Sequence, residues 1–508
     1  MYKLFFLDKD TYITDKIISA ERRVSSSVGY ASTIDLFKLY GMTSTMSGSS
    51  SIPNVELSRG LIHFDISELI SLYQKKAIDI THSSFKAHVK LKDVYGGQTT
   101  PSNFNLVLAP LSRSFDEGFG KDIVYLSDID TANFLSSSKI GGAWFLSGAA
   151  FGAPLGYVGG SDYFTTGVIG SKNLNFELTQ SFKSGFEDLS LDVTPIISST
   201  IAGILPDSGF RLSFENGQET DKFSYFVKRF ASRHVYDKTL QPTLTIKFDD
   251  SVLDTTGAMN FNVSGSLFLY NYDQNGSANL LSSSIEISGS NCILLQLTTP
   301  ISGGHYKSIF TGSQFSKGTY NLSGTYFANV IIPLSSELKQ QLDYSGSVKF
   351  TPIWTSLDGS VTYVTGTDFE MKGPQTFTSP VGKKKYFISA TGIPTQIKRS
   401  EKSLIRINIF DASDPLLKSI KFAINSPGKI LRNLYYSLRD IDKNESIVPF
   451  DTLDNSTRIS SDYQGHYFYL DGMSAIPNRT YVIDVLAVEA NDQTIYRDVS
   501  SPFQIIDN

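Results

Sequence analysis

At 508 residues the chain is too long for one hydrophobic core, and length alone points to two to four domains. A hydrophobic share of 40% and an aromatic share of 12%, carried by 35 Phe and 26 Tyr, exclude wholesale disorder and favour pleated, half-buried surfaces. A net charge of −5 with the two signs interspersed argues against nucleic acid as the main partner, because phosphate binding needs a basic face.

The N-terminal apolar run ends at Asp8, short of a secretory h-region, and no window approaches the roughly 18 apolar residues of a membrane helix. The first helix signal is Asp65, an N-cap with Glu68 at the capping-box position and Ile66, Leu69, Ile70 and Tyr73 on one face. Ala87, Val89 and Leu91 alternate with lysines and His88, which predicts a half-buried strand. Residues 136–170 are rich in Gly and Ser and read as a long excursion inside the first block. Thr194-Pro195 opens a second predicted helix through Ile197, Ile201 and Ile204, ended by Pro206 and Gly209. The alternation of Leu244, Ile246 and Phe248 closes the block, and residues 249–257 read as a linker. A second block runs from Phe261 to about Phe369. Lys372-Gly373-Pro374, Ser379-Pro380 and Lys383-Lys384-Lys385 form the next linker, the lysine triplet being a solvated run rather than a binding patch. In the third block Ile405, Ile407 and Ile409, and then Tyr481, Ile483, Val485 and Ala487, alternate in the same way.

Period-2 alternation with only two short helices predicts an all-β, multidomain chain. It comprises about three antiparallel β-sandwich domains (jelly-roll or Ig-like) over residues 1–250, 256–371 and 386–508. The single cysteine, Cys292, permits neither an intramolecular disulfide nor a multi-cysteine zinc site, and leans toward folding in a reducing cytosol. Its apolar-leaning neighbours predict a buried, inert thiol.

The search for chemistry yields no catalytic, cofactor-binding or metal residues. The six histidines, His63, His82, His88, His234, His305 and His466, do not pair at ligand spacing, and His234 reads as a hydrogen-bonded structural residue. There is no Gly-x-Ser-x-Gly elbow in a strand-turn-helix context and no phosphate loop. Asp116 and Glu117 adjoin, as do Glu187 and Asp188, and adjacency along a strand sends side chains to opposite faces. Asp128 with Asp130, and Asp249 and Asp250 with Asp254, read as solvated turn or cap residues, with a calcium site as the alternative. The plain core reading is preferred for the aromatics. The Gly-rich stretch holding Trp144, Phe145, Phe151 and Tyr157 is a candidate interface loop, weighed equally against internal packing.

Several spaced segments resemble DNRLRE-type β-sandwich domains: Asp10-Thr11-Tyr12-Ile13, Ser58-Arg59-Gly60-Leu61-Ile62-His63-Phe64-Asp65, Leu191-Asp192-Val193-Thr194, Gly209-Phe210-Arg211-Leu212 and Phe230-Ala231-Ser232-Arg233-His234. Ser114-Phe115-Asp116-Glu117-Gly118 matches the slot of that family's Trp-x-Glu-Gly element, with Phe115 in place of Trp. Val94-Tyr95-Gly96-Gly97-Gln98, Phe226-Val227-Lys228-Arg229-Phe230, Ile447-Val448-Pro449-Phe450-Asp451 and Gly465-His466-Tyr467-Phe468 resemble segments of tailed-phage virion proteins. The resemblance implies a non-enzymatic structural subunit of the neck, tail or baseplate, synthesised in the host cytoplasm. It would form a homo-oligomeric ring or sleeve, with other virion proteins as partners and without cofactor, nucleic acid or membrane. The alternatives are a capsid decoration protein, or a glycan-binding adhesin or depolymerase on an appendage, with host glycan as partner.

Overall fold

The computed structural model describes all residues except 45–50, 125–129, 140–141, 151–160, 170–171, 275, 283, 318–319, 374–385, 412–429, 490–491 and 508. About 50% of the chain is strand and 9% helix, and the expected fold class holds: all-β, built of antiparallel β-sandwich domains with few short helices. The chain folds as two compact units, one of Lys3–Gln74 and Phe85–Ile246, the other of Met1–Tyr2, Lys75–Ser84 and Lys247–Asn508.

In the first unit, eight strands lie side by side. Their order is Leu178–Phe182, Phe104–Pro110, Phe210–Phe214, Ser51–Phe64, Tyr2–Thr14, Thr243–Lys247, Lys86–Leu91 and Leu189–Asp192. Thr33–Ser44 adds to Ser51–Phe64 and carries Tyr225–Ala231. The alternation read from the sequence is realised in Lys86–Leu91, where Ala87, Val89 and Leu91 are buried and Lys90 is exposed. Phe210–Phe214, by contrast, is buried at every position.

The helix Ser67–Gln74 starts where expected, with Asp65 Oδ1 accepting from Ser67 N at 3.0 Å and Leu69 buried. The second predicted helix spans Thr194–Ile201 and ends earlier than its apolar spacing suggests. Gly203, at φ +75°, turns the chain left-handed there, and Ile204 falls outside on the surface. Thr194 is not its cap: its hydroxyl accepts from Ala87 N at 2.8 Å, tying the helix to the neighbouring strand.

A longer helix, Ser336–Ser345 in the second unit, was not expected. It carries a Ser335 N-cap and Gly346 at φ +77°, but Leu338 is its one buried side chain, so it lacks the apolar stripe that marks a helix in sequence.

The second unit holds two separate hydrophobic clusters. One lies within residues 259–371, where Gly265–Tyr270, Tyr320–Val330, Gly304–Lys317, Ile293–Ile301, Ser347–Thr355 and Thr362–Thr365 form one curled sheet. Gly304–Lys317 pairs with Ile293–Ile301 through Gly312 and with Tyr320–Val330 from Ser313 onward. At that switch a Cβ on Gly312 would lie 2.9 Å from Ile293 and 3.2 Å from Trp354, so the corner packs tightly around a glycine.

The other cluster is the core of a sandwich. Ile405, Ile407, Phe468 and Leu470 come from one sheet, and Leu434, Leu438, Ile483 and Val485 from the other.

Residues 249–257, expected as a linker, are instead docked within this unit. Leu253 bridges Ser461, and Ser251 and Asp254 are buried. The N-terminal ammonium donates to Phe248 O and Asp250 Oδ1 at 2.5 Å and to Ser456 O at 2.6 Å. Asp249 and Asp254 are cap residues as expected, accepting from Ser251 N and Thr256 N, but they are enclosed rather than solvated. The Lys383–Lys385 triplet lies outside the described residues.

Candidate functional site

The second unit holds a cleft of about 350 Å³. Strand alternation builds it. In Gly465–Asp471, Phe468 and Leu470 point into the core, which leaves Tyr467 and Tyr469 on the outer face. The antiparallel register sets Leu404 opposite Tyr469 and Arg406 opposite Tyr467, so Lys402, Leu404 and Arg406 share that face. In Gly265–Tyr270, Leu267 and Leu269 are buried, and Tyr270 turns outward to line the same cleft with Tyr272.

Cations cover two of the rings, with Lys402 Nζ 4.6 Å from the Tyr469 centroid and Arg406 Cζ 5.2 Å from that of Tyr467. Tyr272 and Tyr469 remain 66% and 44% exposed, so both phenols border solvent at the cleft. Burial drives the Tyr270 hydroxyl far above the usual phenol range, reinforced by Tyr467, and pushes Tyr467 up to about 12, with Asp462 adding to it. These phenols therefore stay neutral and can both donate and accept hydrogen bonds.

The acids of the cleft are already paired. Asp462 takes Arg406 at 2.7 Å, and Asp250 takes the N-terminal ammonium. Arg458 donates Nη2 to the Arg432 carbonyl at 2.9 Å and to Asn433 Oδ1 at 3.2 Å, while its Nε is buried without a hydrogen-bond partner. Neither Lys402 nor Arg458 meets a carboxylate among the described residues.

A second constellation lies in the first unit. Asp10, Glu117 and His234 bring their ligand atoms within 4.8 Å of one another. Glycines make this approach. A Cβ on Gly120 would overlap the Ser27 carbonyl, one on Gly29 would overlap the Glu117 carbonyl, and Gly118 sits at φ +80°. Arg233 closes the knot, donating Nε to Glu117 Oε1 at 2.6 Å, Nη2 to Glu117 Oε2, and its backbone N–H to Asp10 Oδ2 at 2.8 Å.

Burial raises the Asp10 carboxyl well above its usual range, with the Glu117 charge adding to it, and lowers His234, helped by Arg233. Burial disfavours the charged forms of Asp10 and His234, while Glu117 is paired with Arg233. A cation entering here would have to displace the guanidinium, so the knot acts as a structural clasp.

Of the candidate interface loop, Trp144 takes the internal-packing alternative: it is buried with Ile13, Leu61 and Phe115, and its Nε1 donates to Asn133 O at 2.8 Å. Phe145 is half-buried, with Arg113 4.0 Å over its ring. Phe151 and Tyr157 lie outside the described residues.

The histidines are scattered. His63 lies between Asp8 and Asp207, His82 bonds Ser84, and His466 Nε2 accepts from Leu431 N. Asp116 faces solvent while Glu117 turns inward, as adjacency predicts. Asp130 is exposed beside Lys139, and Asp128 lies outside the described residues. Cys292 is half-buried, and burial pushes its thiol up.

The cleft was not read from the sequence. Its signal was the identity of the outward residues: Tyr467-x-Tyr469 and Lys402-x-Leu404-x-Arg406 stand where a solvated strand face would carry Ser, Thr or Lys.

No family model and no curated protein matches the chain. Among solved structures it is similar to an amphioxus IgVJ-C2 molecule, at 8% identity over 49% of this chain and 98% of that one, with a TM-score of 0.12. It is also similar to the D00-D0 domain of Intimin, at 10% identity over 51% and 97%, TM-score 0.12. A third likeness is to the chicken CNTN1 FN1-FN3 domains, at 11% identity over 58% and 78%, TM-score 0.15. At these TM-scores the likenesses carry no argument about this chain.

Proposed function

We propose that the chain is a non-enzymatic structural subunit of a tailed-phage virion, a component of the neck, tail or baseplate that acts through protein–protein contacts. The observation that carries a contact role is an apolar sheet face. In the strand Tyr386–Thr391, at the edge of its sheet among the described residues, Phe387 is 69% exposed and stands directly opposite Phe410, itself 37% exposed. Leu404 and Tyr469 extend the same outer face. Exposed aromatics side by side on a sheet face make a surface that associates readily with another chain. The virion setting is supported by the sequence resemblances in residues 94–98, 226–230 and 447–468. A capsid decoration protein, or a glycan-binding adhesin or depolymerase, remains the alternative, the tyrosine cleft favouring the glycan reading.

Sedimentation analysis tests the contact role. The wild-type chain is expected to form a discrete oligomer, and F387S/F410S to shift it to monomer with an unchanged circular dichroism spectrum. A wild-type chain that stays monomeric at all concentrations, or a double variant that assembles normally, contradicts it.

A further inference from the structure

We propose that the tyrosine cleft of the second unit binds a saccharide that carries a carboxylate. The inference rests on the cleft's own geometry and stands or falls independently of the virion assignment. Its volume of about 350 Å³ lies within the range of small-ligand sites.

Three features set the ligand class. First, Tyr272 is 66% exposed and offers a phenol ring to the cleft, with Tyr469 beside it under Lys402. A flat, weakly polar C–H face, such as that of a pyranose ring, packs well on such a surface.

Second, the polar groups between them are of both kinds. The hydroxyls of Tyr270 and Tyr467 stay neutral, and the Arg406–Asp462 pair presents donors and acceptors side by side. A ligand with many hydroxyls, each both donor and acceptor, satisfies such a lining. An apolar peptide segment would leave it unpaired.

Third, the charge balance is positive. Asp250 and Asp462 are neutralised by the N-terminal ammonium and Arg406. That leaves Lys402 and Arg458 as cations without an acidic partner among the described residues, Arg458 with an unpartnered buried Nε. A ligand carboxylate in the cleft pairs with these cations through charge-assisted hydrogen bonds. The described lining comes from strands and extended segments, and no helix N-terminus faces the cleft to hold a phosphate, so a sugar acid fits better than a nucleotide.

The test is titration calorimetry of the full chain with trigalacturonic acid, and with the uncharged galactose trimer as its partner probe. The acid is expected to bind, and the neutral trimer to bind at least about tenfold more weakly, the equivalent of about 1.4 kcal/mol. Raising the salt concentration is expected to weaken the acid's binding. Tyr272 and Lys402 are exposed, so Y272A and K402A leave the core intact, and each is expected to lower the affinity about tenfold. Y344A, on the exposed surface of the Ser336–Ser345 helix, is the control and is expected to bind like wild type. Binding of neither trimer, equal binding of both, or Y272A and K402A variants that bind like wild type overturns the proposal.

Discussion

The protonated His63 ring faces two carboxylates that accept from it, with Nδ1 2.6 Å from Asp8 and Nε2 3.3 Å from Asp207. Burial works against the imidazolium, but the hydrogen bonds to Asp207 and Asp8 outweigh it and raise the ring to about 9. Because the folded value lies above the unfolded one of about 6.5, this stabilisation is complete below pH 6.5 and is lost as pH rises through about 9. The two carboxylates are partly exposed, so the contribution is on the order of 2 kcal/mol after screening. Thermal unfolding between pH 6 and 9.5 is expected to show the first unit weakening across that window, and H63Q to flatten the profile. An equally steep profile in H63Q would show that other groups carry it. None of this was legible in sequence, because residues 8, 63 and 207 meet only through the sheet register. The Asp10–Glu117–Arg233–His234 clasp was hidden for the same reason.

At the scale of elements, the sheet was legible and its corners were not. Alternation in Lys86–Leu91 and Lys402–Asp411 named the buried side correctly, because a strand shows its burial in every second residue. The outward residues were read only as solvent-facing. That is how the cleft formed by Tyr467, Tyr469, Lys402 and Arg406 escaped notice. The helix Ser336–Ser345 escaped for the opposite reason, since one buried leucine makes no periodic stripe. Corners depend on single backbone positions that no periodicity reports. Gly120 is the sharpest case: a Cβ there overlaps backbone at Ser27, and backbone cannot rotate away as a side chain can. G120A is expected to destabilise the first unit by about 3 kcal/mol or more and to pull Glu117 from Arg233. G217A, where a Cβ meets nothing within 4 Å, serves as the control and is expected to be neutral. Urea unfolding of both variants decides it, and a G120A variant as stable as G217A contradicts the packing described for this loop.

At the scale of the whole molecule, two compact units of β-structure carry apolar cores, and among their exposed apolar residues Phe387 and Phe410 stand side by side on one sheet face. Exposed aromatics side by side on a sheet face would be an aggregation hazard in a solitary protein. In a subunit of a closed assembly they become the interface, which is why the contact reading accounts for them best. The charged, tyrosine-lined cleft differs in kind, being small, polar and suited to a soluble ligand rather than a neighbouring subunit. Leu404 and Tyr469 belong to both, so the contact face and the cleft adjoin on the outer side of one sheet. Mass spectrometry of purified, salt-washed particles from the source of this sequence tests the proposed virion role most directly. The account predicts the chain at a fixed ratio to the other virion proteins, and its absence from the washed particles would contradict the account.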